Sequence, residues 1–238
     1  HEHDSVMQVL FKDAKGKYDF VCFNGDMTSA VDSTAEIRIH YMKTASKLFA
    51  SDTPLYLCRG NHEYRGNDAI KYVDYYQTPT GKTYYSASYG KYFFLFLDSG
   101  EDKVDSDIRN LDIMMTEKYV QEEAEWLKTV VESDEYKNAE VKIAFCHIPP
   151  SPTGWYGNAT VSKYLVPLLN GTGLDLMLCA HIHKYSYREA GKNGCDFPVL
   201  CNANQQRLDA TVDKNGIKIE IYDASGAKLH SLKFDKKK

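Results

Sequence analysis

Four short apolar segments of the chain each end in polar residues of the types that bind metal ions. They run over residues 20–26, 54–63, 143–147 and 176–183. Each apolar run has the length of a buried strand. Because ligands gather beyond the carboxyl ends of the strands in an open α/β sheet, the four polar ends are expected to converge on one site.

The residue types at these ends suit a transition-metal centre and disfavour a calcium cage. The ends read Gly25-Asp26, Gly60-Asn61-His62-Glu63, His147 and His181-Ile182-His183. Gly60 allows a tight backbone turn where a side chain would obstruct the site. Taken singly, each end has an ordinary structural explanation, such as a turn, a surface histidine or a packed core histidine. Their joint occurrence in this order indicates metal binding.

In this order the four motifs resemble those of the calcineurin-like metallophosphoesterase superfamily, and the resemblance covers nearly the whole chain. Further segments resemble its purple-acid-phosphatase-like branch, namely residues 85–90, 97–99, 125–128, 147–150 and 181–185. The resemblance implies one catalytic domain over residues 1–238, folded as a four-layer α/β/β/α sandwich. The alternation of strands and helices alone indicates only a mixed α/β domain.

Three features depart from the family pattern. Purple acid phosphatases carry an iron-ligating tyrosine three residues after the Gly-Asp aspartate, where this chain has Ser29. Protein Ser/Thr phosphatases follow Gly-Asp with an Asp-Arg-Gly segment, which residues 27–30 lack, so that function ranks lower. The family opens with a strand ending in Asp-x-His. His1 is assigned to the histidine of that motif, with His3 as the rival, and the first strand with its aspartate is expected to be missing.

The resemblance implies a binuclear centre with Asp26 as the bridging carboxylate. Two ions of Mn, Fe, Zn or Ni, of open identity, would hold a hydroxide that attacks the phosphorus of a phosphomonoester or phosphodiester. His62 would protonate or orient the leaving oxygen, and Glu63 would support the loop or His62. Carried over by motif position, the metal ligands are His1, Asp26, Asn61, His147, His181 and His183.

Substrate contacts are predicted from residues near the motifs. Arg65 and Arg59 could each neutralise a phosphate oxygen, and a solvated arginine or a structural ion pair is the alternative for both. Trp155 and Tyr156 could line the mouth of the site and stack on a base or aromatic leaving group. Their alternative role is to anchor the loop.

Several functions stay open at this stage. The leading hypothesis is hydrolysis of a small-molecule phosphate ester. A nucleotidase or cyclic-nucleotide phosphodiesterase is a second enzymatic hypothesis, and a protein Ser/Thr phosphatase is a third. A metal-binding scaffold without activity is the non-enzymatic alternative.

Composition limits the partners. The formal net charge of −4 and the pI of about 6.1 give no electrostatic case for a nucleic-acid surface. No apolar run approaches the roughly 20 residues that span a membrane. Oligomeric state and compartment stay open, with export as one alternative. The cysteines are expected to be buried free thiols, with a Cys195–Cys201 disulfide as the alternative for that pair.

Apolar spacing predicts helices over 5–15, 33–50, 116–131 and 161–169, and a short helix or turn over 68–76. Strands are predicted over 18–24, 54–58, 83–89, 92–97, 139–145 and 174–178, and then near 185–189, 197–202, 206–212, 217–222 and 228–234. Asn215-Gly216 between the last alternating runs predicts a hairpin. The acidic residues 99–114 predict a surface loop, with a lid as the alternative.

Overall fold

The computed structural model describes residues 4–33, 35, 41–110 and 114–236. The helices are α1 (Asp4–Leu10), α2 (Lys43–Ala45, continued by a π-helical segment Ser46–Ala50), α3 (Tyr72–Tyr75), α4 (Thr116–Val131), α5 (Asp134–Lys137), α6 (Tyr156–Tyr164) and α7 (Val166–Leu169). The strands are β1 (Val21–Asn24), β2 (Leu55–Cys58), β3 (Tyr85–Tyr89), β4 (Tyr92–Leu97), β5 (Val141–Cys146), β6 (Leu176–Cys179), β7 (Ser186–Arg188), β8 (Val199–Cys201), β9 (Arg207–Asp213), β10 (Gly216–Tyr222) and β11 (Lys228–Asp235).

The strands form three sheets. A mixed six-stranded sheet has the order β3-β4-β5-β6-β8-β7, in which β4, β5, β6 and β8 run parallel. Strands β1 and β2 pair in parallel, and β9, β10 and β11 form an antiparallel sheet. The hairpin predicted at Asn215-Gly216 joins β9 to β10, so that prediction is confirmed.

Strand β4 shows why the large sheet is covered on both faces. Its side chains alternate between the faces. Phe93, Leu95 and Leu97 pack into a core with α4, α5, α6 and α7, whereas Phe94 and Phe96 pack into a core with β9, β10 and β2. Phe96 stacks on Tyr56 of β2 with ring centroids 4.7 Å apart.

A third core lies on the outer side of the β1–β2 sheet, where α1 and the α2 segment cover the two strands. The layers are therefore helices, the six-stranded sheet, the smaller sheets, and helices again. This arrangement confirms the four-layer α/β/β/α sandwich.

The helix predictions succeed where the apolar stripe is long. The helix predicted over 116–131 is observed at those bounds, with Val120, Ala124, Leu127 and Val131 buried on one stripe. Helix α1 ends at Leu10 rather than near 15. The helix predicted over 161–169 begins earlier, at Tyr156, and continues after a break as α7. Of the helix predicted over 33–50, residues 34 and 36–40 lie outside the described residues, and residues 41–50 are helical.

One sequence expectation is corrected, and the expected free thiols are observed. The acidic segment after β4 begins as a buried loop, because Ser99, Glu101 and Asp102 are all buried. The six cysteines are free thiols, so the Cys195–Cys201 disulfide is not formed. Cys201 instead lies opposite Cys179 in the register of β6 and β8.

A groove of about 920 Å³ separates β1 from β9 and leads to the polar ends of the strands. Within the described ranges, β1 pairs with β2 alone and β9 with β10 alone, so one edge of each strand faces the groove. Leu10 and Phe11 line it from the helical side, and Asp26, His147, His181 and His183 lie at one end.

Candidate metal centre and active site

Asp26 reaches the centre through a left-handed turn at the end of β1. Gly25 has a φ of 84° and Asp26 a φ of 56°, a region that L-residues with side chains rarely adopt. A Cβ on Gly25 would lie 2.5 Å from Nδ1 of His147. Only glycine fits there, because any side chain would displace the neighbouring imidazole.

Gly60 allows the second motif to approach the first. A Cβ at this position would lie 2.3 Å from the backbone nitrogen of Asp26. The two loops therefore touch through their backbones, as expected for a glycine beside the site.

Glu63 links the loop that follows β1 to the loop that follows β2. Its Oε2 accepts hydrogen bonds from the backbone N–H groups of Asp26 and Gly60, both at 2.8 Å. Its Oε1 accepts from Met27 at 2.6 Å and Thr28 at 3.1 Å. Burial and the nearby Asp26 carboxylate raise the pKa of Glu63. The Glu63 side chain therefore fixes the backbone turn that presents Asp26.

Replacing Glu63 with glutamine is expected to lower metal affinity by roughly 10- to 100-fold, the usual effect of losing a partner behind the ligands. The amide NH₂ would face backbone N–H donors and could not accept from them. Chelator competition measures the affinity. Glu140→Gln, which removes the surface ion pair with Lys91, is the matched control. Equal affinities in the two variants would contradict this role.

Within the described residues, one group of three side chains could hold a metal ion. Its members are Asp26, His147 and His181. Their potential ligand atoms all lie within 4.8 Å of one another. Nδ1 of His147 donates to the carbonyl of Asn24 at 2.6 Å, and this leaves Nε2 facing Oδ2 of Asp26 at 3.1 Å. Asn61 adjoins the group, since its Oδ1 lies 3.0 Å from Nδ1 of His181.

The charges of this group are strongly coupled. Burial opposes ionisation of Asp26, but His147 and the hydrogen bond from His62 hold the pKa of that carboxyl well below its usual range. Burial also opposes the charged form of His147, yet Asp26 raises its pKa. Burial and the neighbouring His147 lower the pKa of His181 to about 4. The buried carboxylate of Asp26, with the neutral imidazole of His181 nearby, favours a bound cation.

His183 is not a member of this group. His183 adopts a left-handed backbone, with a φ of 57°. It is exposed and lines the end of the groove. His1 lies outside the described residues. The structure thus brings together Asp26, Asn61, His147 and His181, four of the six residues that the resemblance assigns to the metals.

His62 lies beside Asp26 with its ring held in one orientation. Its backbone N–H donates to Oδ1 of Asp26 at 3.0 Å, and its Nδ1 donates to the carbonyl of Ser29 at 2.8 Å. Burial lowers the pKa of His62. With Nδ1 engaged in that bond, Nε2 is the nitrogen that can exchange a proton with a substrate oxygen.

Arg65 lies against the ring of His62. Its Nη1 is 3.5 Å from Nδ1 and 3.3 Å from Nε2, so the guanidinium faces the ring and is not aligned with one nitrogen. Its other nitrogens donate to Glu101 at 2.7 and 3.0 Å and to Asp102 at 3.0 Å. The side chain keeps 30% exposure, so it can still meet a substrate while two carboxylates fix its position.

The sequence matches the calcineurin-like phosphoesterase family over residues 1–185. The chain belongs to this family. The resemblance stated from the motifs is thereby confirmed, and the fold agrees with it. The sequence has no significant match among curated proteins.

Three solved structures share the fold of this calcineurin-like phosphoesterase. The purple acid phosphatase PPD1 from yellow lupin (Lupinus luteus) seeds matches with a TM-score of 0.71 and 15% identity, covering 98% of this chain and 49% of that one. GAP50, the anchor in the inner membrane complex of Plasmodium, matches with 0.60 and 13%, covering 100% and 84%. PhoD matches with 0.54 and 12%, covering 97% and 69%. The chain spans about half the length of the lupin enzyme.

The residues present fit the metal ions that the family binds. Nε2 of His147 is buried and has no hydrogen-bond partner among the described residues, although Asp26 is within ion-pair distance. A buried imidazole nitrogen with that geometry is suited to a metal. The donor set of carboxylate, amide and imidazole is the one preferred by divalent transition metals.

The Arg59 side chain is engaged by neighbouring residues of the protein. Its Nε donates to Oδ2 of Asp98 at 2.8 Å, and its guanidinium lies 3.6 Å from the ring centroid of Tyr64. Only 11% of the Arg59 side chain is exposed. The ion-pair alternative therefore describes Arg59 better than phosphate binding, and Arg65 stays the candidate for substrate contact.

The sequence reasoning missed Asp98, Glu101 and Asp102 as residues that support the site. Asp98 directly follows β4 and holds Arg59 and Tyr64, whose segment contains His62. Glu101 and Asp102 hold Arg65. The available signal was their position after an apolar strand, which is the placement shared by the four metal motifs.

Glu123 of α4 is fully buried next to Asp98. Its Oε1 accepts from the backbone N–H of Asp98 at 2.9 Å. Burial, and then the Asp98 carboxylate, raise the pKa of Glu123 well above its ordinary value. Because the folded-state pKa is raised, the stability that protonated Glu123 contributes is present at low pH and is lost as the pH rises through the folded pKa.

Replacing Glu123 with glutamine is therefore expected to raise the Tm more at pH 8 than at pH 5. The amide keeps an acceptor for the Asp98 N–H and removes the buried charge that forms at high pH. Thermal unfolding of both proteins at the two pH values measures the difference. An equal change in Tm at both would show that Glu123 does not titrate in this range.

Proposed function

We propose that this protein is a metal-dependent hydrolase of phosphomonoesters or phosphodiesters with a binuclear centre. The observation that carries the proposal is the convergence of Asp26, Asn61, His147 and His181 beside His62. When bound, two transition-metal ions would activate water and neutralise charge on the phosphoryl oxygens.

The chain's own residues supply the remaining steps. His62 exchanges a proton with the leaving oxygen at Nε2, while its Nδ1–H bond to Ser29 fixes the ring. Such help is worth roughly 10²- to 10⁴-fold. Arg65, held by Glu101 and Asp102, presents positive charge to the phosphate beside His62. Asp26 also positions His62 through the backbone N–H.

We propose that the groove between β1 and β9 accepts an extended strand ending in Asp-x-His. The support is one edge of each flanking strand that pairs with no other strand within the described residues, and the position of His183 at the end of the groove. Adding an extended segment ending in Asp-x-His is expected to raise the metal content of the protein.

The deciding experiment measures metal content together with hydrolysis of p-nitrophenyl phosphate and bis-p-nitrophenyl phosphate, with and without the added segment. Turnover that falls at least a hundredfold in His62→Ala, with metal content unchanged, is expected. The ratio of the two rates distinguishes a monoesterase from a diesterase. Nucleotides and cyclic nucleotides test the second enzymatic hypothesis, and a phosphopeptide tests the protein phosphatase hypothesis.

A non-enzymatic scaffold is the second candidate, favoured by the shared fold with GAP50, which is described as an anchor. Metal binding without turnover of any ester, even with the added segment, would support the scaffold and contradict the enzyme. No described helix is long and apolar enough to cross a membrane. Export from the cell, one alternative that the sequence leaves open, is tested by locating the protein in cell fractions.

A further inference from the structure

Trp155 is a large aromatic residue that stays exposed at the edge of the candidate metal centre. Its exposed fraction is 69%. Its ring centroid lies 6.2 Å from that of His181, with the two planes nearly perpendicular at 88°. Most of the indole surface is therefore accessible beside a residue of the metal group.

The position of Trp155 is fixed by its backbone. The backbone N–H of Trp155 donates to Oδ1 of Asn158 at 3.1 Å, and Nδ2 of Asn158 donates to the carbonyl of Pro149 at 2.7 Å. Pro149 follows His147 by two residues, so one braced loop carries both the metal-group histidine and the indole. Neighbouring Tyr156 has the anchoring role instead, because its hydroxyl donates to Glu117 at 3.0 Å.

The Trp155 indole also lies near the residues that hold Arg65. Nζ of Lys103 lies 5.8 Å from the Trp155 ring and 2.6 Å from Oδ2 of Asp102, whose Oδ1 holds Arg65. Gly157 makes this proximity sterically feasible, since a Cβ there would lie 3.1 Å from Cα of Asp102. Trp155, Lys103, Asp102 and Arg65 thus form a continuous rim that reaches His62.

We propose that Trp155 stacks on a flat aromatic group of the substrate, so that this site takes phosphate esters of phenols or of nucleosides. The inference rests on the proposed phosphoesterase function. An ester whose phosphoryl group reaches the metal group would carry its organic part past this rim, where the indole offers a flat apolar face. Stacking of a base on an aromatic side chain strengthens binding by about tenfold or more.

The binding test uses non-hydrolysable phosphonates and metal-loaded protein. Phenylphosphonate and the 5′-methylenephosphonate analogue of adenosine represent the two sources of an aromatic group, and methylphosphonate is the control ligand. Calorimetry is expected to show at least one aromatic ligand binding about tenfold tighter than methylphosphonate. This preference should persist in Trp155→Phe and disappear in Trp155→Ala. The tighter aromatic ligand identifies the source.

Fluorescence locates the ligand. The chain has two tryptophans, and the other, Trp126 of α4, packs against the buried Tyr84 with ring centroids 5.1 Å apart. In Trp126→Phe, Trp155 is the sole indole, and its emission should respond to the aromatic phosphonates and not to methylphosphonate. An unresponsive emission, or an unchanged ligand preference in Trp155→Ala, would overturn the inference.

Kinetics separate this inference from the proposed function. If phosphate esters are hydrolysed but the aryl-to-alkyl ratio of kcat/KM is equal in wild type and Trp155→Ala, the role of Trp155 is refuted and the function stands. If the aromatic preference in binding depends on Trp155 but no ester is hydrolysed, the phosphoesterase proposal is refuted and the aromatic site stands.

Discussion

Replacing Asp26 with asparagine is expected to abolish metal binding and to lower phosphoester hydrolysis on the order of a thousandfold or more. Asp26 is the one carboxylate in the described metal group, and its two oxygens have separate tasks. Oδ2 faces Nε2 of His147 at 3.1 Å, and Oδ1 fixes the backbone of His62 at 3.0 Å. Elemental analysis and initial rates with p-nitrophenyl phosphate measure the two losses.

The matched control for Asp26 is Asp19→Asn. Asp19 precedes the same strand but is exposed, so its loss is expected to change neither metal content nor rate. Circular dichroism should show that Asp26→Asn keeps its secondary structure, because an asparagine tolerates the left-handed φ of 56° better than most residues. Full metal content in a folded Asp26→Asn protein would contradict the assigned centre.

Replacing Asp98 with alanine is expected to destabilise the protein by roughly 3–5 kcal/mol. Asp98 is completely buried, and its partner Arg59 is 11% exposed, so the variant would leave a buried guanidinium without its counter-ion. Asp98 also accepts hydrogen bonds from Tyr64 at 2.8 Å, Gly100 at 2.9 Å, and Thr83. Urea unfolding measures the free energy of unfolding directly.

Glu125→Ala is the control for the loss of an ion pair. Glu125 pairs with Lys128 on the exposed face of α4, where the side chains are 72% and 51% exposed. Such pairs contribute roughly 0–1 kcal/mol because water screens them. If Asp98→Ala costs no more than Glu125→Ala, the buried network does not hold Arg59 and Tyr64 in place.

How far sequence reasoning reaches is clearest at the centre itself. Asp26, Asn61, His147 and His181 could be named in advance because each follows an apolar strand at the same edge of the fold. Arg59 and Arg65 could not be separated, since both flank the same motif. What separates them is the partner that each finds in space, Asp98 for Arg59 and the Glu101–Asp102 pair for Arg65.

The sequence by itself determined the positions of the metal-binding motifs, because these depend on local apolar runs and on the residues that end them. The layered fold followed from the resemblance of those motifs to a known family. Only the tertiary structure decided which acidic residues are buried, that Glu63 braces the Asp26 turn, and that Trp155 and Tyr156 have different roles. These depend on contacts between segments that lie far apart in the chain, such as Glu63 with Asp26 or Tyr156 with Glu117. Such contacts carry no local pattern, since their geometry arises only when the layers pack.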